Sequence, residues 1–288
     1  MARAAANVSR LQLALRIPKR NLSRTDTEYS YTEYYLIVWD LCALSADEVL
    51  LACGAEGLLS VSLHTAQLAA HEFSAIRDFV REVAFDAHTD TLLLLVWAPR
   101  AGDYYQLVSL RRNSSEWLEV QRLDIKIQHS STLLNFAVCD SRVLLGRWNT
   151  LYVFDVSAEH TLRDAGSVTL QSQAYTIACT RLDGVTLVAF SHDTSVSLLR
   201  LTSLPLRLVP LASVSLNFTH PNHLLFREDL LLVADWDSSI VSFRASYNAH
   251  TERRVLLDGV SIGAWALASD RLVLWDLHST ELRVYAFT

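Results

Sequence analysis

Asp229-Leu-Leu-Leu-Val-Ala-Asp-Trp236, followed by Ser238-Ser-Ile-Val-Ser-Phe-Arg-Ala245, is an acid, an aliphatic run, a polar break and an alternating apolar strand. The unit returns at Asp47-Glu-Val-Leu-Leu-Ala-Cys53, Asp90-Thr-Leu-Leu-Leu-Leu-Val96, Asp140-Ser-Arg-Val-Leu-Leu145, Asp183-Gly-Val-Thr-Leu-Val188 and Asp270-Arg-Leu-Val-Leu-Trp275. Differences between successive aspartate numbers are 43, 50, 43, 46 and 41. A strand-built period of about 40 to 50 residues is the mark of propeller blades, each a small sheet that buries its faces only against its neighbours.

Working outward, each repeat divides into four strands. Residues 34–38, the run after Asp47, 58–63 and a weak 67–73 make the first. The next three take 80–85, 92–97, 104–110 and 117–123; then 133–138, 143–147, 151–156 and 161–170; then 174–180, 186–190, 196–201 and 206–214. The fifth has 223–226, 230–234, 240–245 and 253–257. The sixth, 262–268, 272–277 and 282–287, lacks a fourth strand. An open sheet edge exposes unpaired backbone groups, so a ring needs closing. Near the start, Leu11, Leu13, Leu15 and Ile17 alternate with Gln12, Ala14 and Arg16 up to Pro18, a period of two that marks a strand. Residues 9–17 are therefore expected to complete the last blade. The expectation is one all-β domain over 1–288, a six-bladed propeller, with seven blades as the alternative.

The second strand of a blade is covered on both faces, which asks for apolar side chains at nearly every position. The aspartate before each run is expected to cap the tight turn entering that strand through its side chain. Glycine is scarce, 8 in 288, so Asp, Asn and Ser carry the turns.

Composition limits the function. Hydrophobic residues are 51% and charged residues 19%, enough apolar material for a large core. The formal charge of −6 offers no general attraction to nucleic acid or an acidic membrane. Arg111-Arg112 and Arg253-Arg254 are scattered basic pairs that read as solvated turns. The longest apolar run, 92–98, is far shorter than the roughly 20 residues of a spanning helix. Cys42, Cys53, Cys139 and Cys179 lie far apart in apolar stretches and fit free thiols in a reducing compartment, cytoplasmic or nuclear. The basic, acid-free stretch before Asp26 leaves a mitochondrial presequence open as the alternative.

Val153-Phe154-Asp155-Val156, closing a third strand, resembles the aromatic-Asp dipeptide of WD-repeat propellers; Val38-Trp39-Asp40-Leu41 and Leu274-Trp275-Asp276-Leu277 carry the same letters in first and second strands. That resemblance implies a protein-interaction scaffold. A second likeness, in Phe85-Asp86-Ala-His-Thr-Asp90-Thr-Leu-Leu-Leu-Leu-Val96 and Leu107-Val-Ser-Leu110, is to the propeller portion of fungal F-box proteins. It implies substrate recognition beside ubiquitin-ligase components.

Loops between second and third strands should gather at one face. They carry Arg100, Arg147, Trp148, His192, Asp193, Trp236, Asp237 and His278, the mix of charge and aromatics enriched at binding surfaces. A protein or peptide is the expected partner, with no catalytic residue and no cofactor. The enzymatic alternative is a six-bladed hydrolase or lactonase holding an axial metal with Asp193, Asp235, Asp237 and His192, donors of suitable chemistry at no defining spacing.

Overall fold

The computed structural model describes residues 11–18, 38–55, 57–65, 68–71, 79–98, 104–114, 116–128, 134–192, 194–203, 205–215, 221–235, 239–244 and 254–287. They form twenty-four strands in six four-stranded antiparallel sheets. β1 (Leu11–Pro18) stands apart at the start of the chain. The first sheet takes β2 (Asp40–Ala43), β3 (Glu48–Ala52), β4 (Leu58–Ser62) and β5 (Leu68–His71). The second takes β6 (Phe79–Asp86), β7 (Thr91–Ala98), β8 (Tyr104–Asn113) and β9 (Glu116–Gln128). β10 (Leu134–Cys139), β11 (Arg142–Arg147), β12 (Thr150–Val156) and β13 (Leu162–Thr169) make the third. The fourth is β14 (Thr176–Leu182), β15 (Val185–His192), β16 (Ser195–Ser203) and β17 (Leu206–Ser215). β18 (Pro221–Arg227), β19 (Leu230–Asp235), β20 (Ser239–Arg244) and β21 (Arg254–Asp258) make the fifth. β22 (Ile262–Ala268), β23 (Arg271–Asp276) and β24 (Glu281–Phe287) make the sixth, where β1 is the fourth strand.

The first strands β2, β6, β10, β14, β18 and β22 touch one another in sequence, and β22 returns to β2, so the six sheets close into a propeller. Closure joins the two ends of the chain. β1 lies antiparallel to β24, from Leu11 opposite Phe287 to Pro18 opposite Glu281, with one register shift between Leu13 and Leu15. On the rim of the same seam, Arg271 reaches Asp47 of the first blade at 2.9 Å.

Aliphatic runs occupy the second strands because each packs against two blades. In β7, Leu92, Leu94 and Val96 join Cys42, Leu50 and Ala52 of the first blade, while Leu93 and Leu95 turn to Val143 and Leu145 of the third. β3 divides the same way: Leu50 and Ala52 face the second blade, Val49 and Leu51 the sixth. With only one residue in two facing each neighbour, a strand enclosed on both sides needs an unbroken apolar run.

The innermost described strand of the first blade is Asp40–Ala43, and 34–37, where the sequence reading begins it, lie outside the described residues. One expectation is corrected. The recurring aspartates do something other than cap their turns with side chains. Asp140 and Ser141 (φ 53° and 57°), and Asp183 and Gly184 (φ 49° and 78°), put both residues of a two-residue hairpin loop in the left-handed region that the right-handed twist of the flanking strands favours. Asp and Asn tolerate that region better than other non-glycine residues. In the fifth and sixth blades it is Glu228 and Ser269, just before the acid, that turn left-handed. The freed carboxylates reach sideways, Asp140 to Arg181 of the fourth blade and Asp47 to Arg271.

Candidate functional site: the channel mouth

The strand registers bring four polar residues to one level of the inner ring. Asp40 lies opposite Ala52, Glu82 opposite Leu95, Asn135 opposite Gly146 and His223 opposite Ala234, in each case the same step along the second strand. Ala178 and Ala264 fill the level in the fourth and sixth blades. The four polar side chains all lean toward the following blade, because their chain neighbours Leu41, Val83, Phe136 and Leu224 pack against the preceding one.

Each of the four bonds to the backbone of the next blade. Asp40 Oδ2 accepts the Val83 N–H at 2.9 Å, and Glu82 accepts the Phe136 N–H. Asn135 Nδ2 donates to the Ala174 carbonyl at 3.4 Å. His223 Nε2–H donates to the Ile262 carbonyl at 3.0 Å. The effect is a polar latch at four of the six seams.

Burial shapes the chemistry of these groups. It pushes Asp40 up to about 7, against the pull of the N–H groups of Val83 and Leu41. Glu82 is raised well above the carboxylate range by burial and then by the Asp40 carboxyl, with Arg81 and the Phe136 N–H opposing. His223 is lowered to about 4 by burial, so it is neutral at physiological pH. Arg81 lies between Glu82, at 3.9 Å, and Tyr105, whose hydroxyl accepts from it.

Together the first strands enclose a channel of 480 Å³ lined by Trp39, Asp40, Arg81, Glu82, Asn135 and His223, among others. The polar level sits where first strands begin, which is where second strands end and second-to-third loops emerge. Trp39 stands at this mouth with 44% of its surface exposed, edge-on to Phe79 at 5.3 Å, and Phe79 continues to Trp97 at 5.8 Å. Gly54 permits the stack. Its φ is +62°, its N–H and carbonyl both pair with Val80 at 3.0 Å, and a Cβ there would sit 2.7 Å from the Phe79 ring.

Of the residues singled out in the sequence, Arg147, Trp148, His192 and His278 lie on this face, in or beside second-to-third loops. They ring the mouth and are not among the residues lining the channel, because first strands separate these loops from the axis. Arg100, Asp193, Trp236 and Asp237 lie outside the described residues. Trp148 takes a left-handed φ of 52°, leaves 48% of its surface exposed, and fixes its loop by accepting the Ala174 N–H at 3.0 Å. His192 is turned inward, its ring nitrogens held by Ser197 and Ser195 and its ring against Phe190 at 5.4 Å. His278 is exposed in a turn built on Asp276, which accepts the His278 N–H at 3.0 Å and pairs with Arg283 at 2.7 Å. Among the described residues, no three His, Cys, Asp or Glu side chains come together as a metal site.

The sequence reading missed Asp40, Glu82, Asn135 and His223. They stand 7, 8, 5 and 6 residues before the recurring aspartates, an offset that varies because the intervening turns differ in length. Only pairing with the second strand reveals one level.

With the geometry in hand, known structures can be compared. The Cps50 (Swd1) β-propeller domain of Myceliophteria thermophila superposes with a TM-score of 0.55 at 15% identity, over 87% of this chain and 84% of that one. A protein from Lactobacillus plantarum gives 0.53 at 13% identity, over 87% and 85%. The likeness is one of fold. No family model matches the chain, and no curated protein does.

Proposed function

We propose that the protein is a non-catalytic interaction platform of WD-repeat-like type, and that the channel mouth with its second-to-third loops receives a protein or peptide. The observation that carries this reading is the pair Trp39 and Trp148, each with nearly half its surface exposed on the same face. Tryptophan and arginine dominate binding hot spots, and Arg147 adjoins Trp148. The fold shared with the Swd1 propeller supports the scaffold reading at the level of architecture. Four free thiols favour a reducing compartment, cytosol or nucleus.

The test compares proteins captured by the wild type with those captured by the Arg147→Ala/Trp148→Ala double variant. Partners lost without a change in melting temperature support the reading; an unchanged set removes it. Recognition of ubiquitin-ligase substrates is the narrower version, resting on the F-box resemblance alone, and co-purification of ligase subunits tests it.

A second reading has one observation behind it. Asp40, pushed up to about 7 in an open channel, has the poise of a general acid. Lactone or ester hydrolysis lost in Asp40→Asn would favour an enzyme over a platform.

A further inference from the structure

At the opposite end of the channel, two of the four thiols face each other across a blade seam. Cys139 ends β10 and Cys179 lies within β14, neighbouring inner strands whose Cα atoms come within 8 Å. Strand alternation sends both side chains into that seam. Cys139 follows Asn135 and Ala137 toward the fourth blade, and Cys179 packs with Ala137 and Leu144 of the third. Asp140, next after Cys139, and Arg181, two residues beyond Cys179, pair across the same seam and pin the two segments together. The two thiols lie near enough for Cys139 to raise the Cys179 thiol. Cys42 and Cys53 differ: they face opposite neighbours of the first blade, and each thiol donates to a carbonyl of its own segment, at 3.6 and 3.7 Å.

We propose that Cys139 and Cys179 form a redox modification site, a dithiol that a hydroperoxide converts into a disulfide stapling the third blade to the fourth. Both residues are only partly buried, and Cys179 lines the channel, which gives a small oxidant a route in. A disulfide spans Cα atoms roughly 4.4–6.8 Å apart, the separation the two strands must reach for the bond to close.

The roles of the two thiols follow from their surroundings. Burial, the facing Cys139 and the carboxylates of Asp140 and Asp86 hold the Cys179 proton in place, which leaves the first attack to Cys139. Its sulfur displaces hydroxide from the peroxide, taking one oxygen as a sulfenic acid. The Cys179 sulfur then attacks the Cys139 sulfur, and water leaves with the sulfenic oxygen and the Cys179 proton. The dithiol loses two electrons in all, and with hydrogen peroxide as the oxidant the displaced hydroxide takes up the proton released from Cys139, so two waters form.

The experiment treats the intact chain with hydrogen peroxide, blocks remaining thiols with an alkylating reagent, and maps peptides without reduction. Alkylatable thiols should fall from four to two, with one cross-linked peptide pair joining Cys139 to Cys179, reversed by dithiothreitol. Cys139→Ser and Cys179→Ser should each abolish the cross-link; the wild-type map needs neither variant to fold. Independent overoxidation of the two sulfurs, a cross-link between any other pair, or four thiols still alkylated would overturn the proposal.

Discussion

Asp40 of the first blade accepts the N–H of Val83 in the second at 2.9 Å, a carboxylate serving as the hinge pin between two inner strands. Glu82, Asn135 and His223 repeat the device at the same level of their own blades. Polar groups in such places are costly unless partnered, and each of these is held by a backbone atom across the seam.

The ionisable latches predict opposing pH limbs. Asp40 ionises near 7 in the fold against 3.8 ordinarily, so its contribution to stability is full below about pH 4 and is lost as pH rises to about 7. His223 titrates near 4 in the fold against 6.5, so its contribution is full above about 6.5 and is lost as pH falls to about 4. The two limbs cover nearly the same window and largely cancel, so urea midpoints should change little between about pH 4 and 6.5. His223→Gln keeps a donor for Ile262 but cannot protonate, so in this variant the midpoint should fall steadily as pH rises from about 4 to 7. A variant whose profile stays as flat as that of the wild type would contradict the assignment.

Ring closure is tested by deletion and add-back. A chain lacking residues 1–18 leaves β24 as a bare edge and should aggregate or lose its cooperative melt. A synthetic peptide covering residues 9–18, supplied in excess, should restore both. Truncated protein as stable as the full chain would show that β1 is dispensable.

Gly146 is set by a side chain in the next blade. A Cβ at this position would lie 2.2 Å from Ile177 Cδ1, inside the seam between third and fourth blades. Gly146→Ala should cost about 1–3 kcal/mol through overpacking. Ile177→Val removes the clashing methyl, so the double variant should be more stable than the sum of the single effects, as read from chemical denaturation.

Second strands should be far more sensitive than outer ones. Leu94 is wholly buried between two blades, and Leu94→Ala should cost about 2–5 kcal/mol. Val255, on β21, is 55% exposed, and Val255→Thr should stay within about 0.5 kcal/mol of wild type. Equal effects at the two positions would remove the two-sided account of the aliphatic runs.

Much of the architecture is legible in linear order. Leu92 to Val96 announces a strand covered on both sides because an unbroken aliphatic run of strand length, inside a repeat of strands, asks for burial of both faces. The alternation from Leu11 to Ile17, after which the last repeat wants a strand, marks the closing piece, and β1 pairs with β24 accordingly. The turn acids were located correctly but given the wrong task, since a left-handed φ at Asp140 or Asp183 and a carboxylate reaching a neighbouring blade leave no local signal.

The chain by itself determined the blade cadence, the doubly covered strands and the strand that closes the circle, because hydrophobic periodicity acts over a few residues and is written in their order. Folding in three dimensions alone decided that Asp40, Glu82, Asn135 and His223 share one level, that Trp39 and Trp148 open on one face, and that Cys139 meets Cys179. Those relationships join residues of different blades, and they depend on turn lengths and the rotation between neighbouring sheets, which only the packed ring adds up.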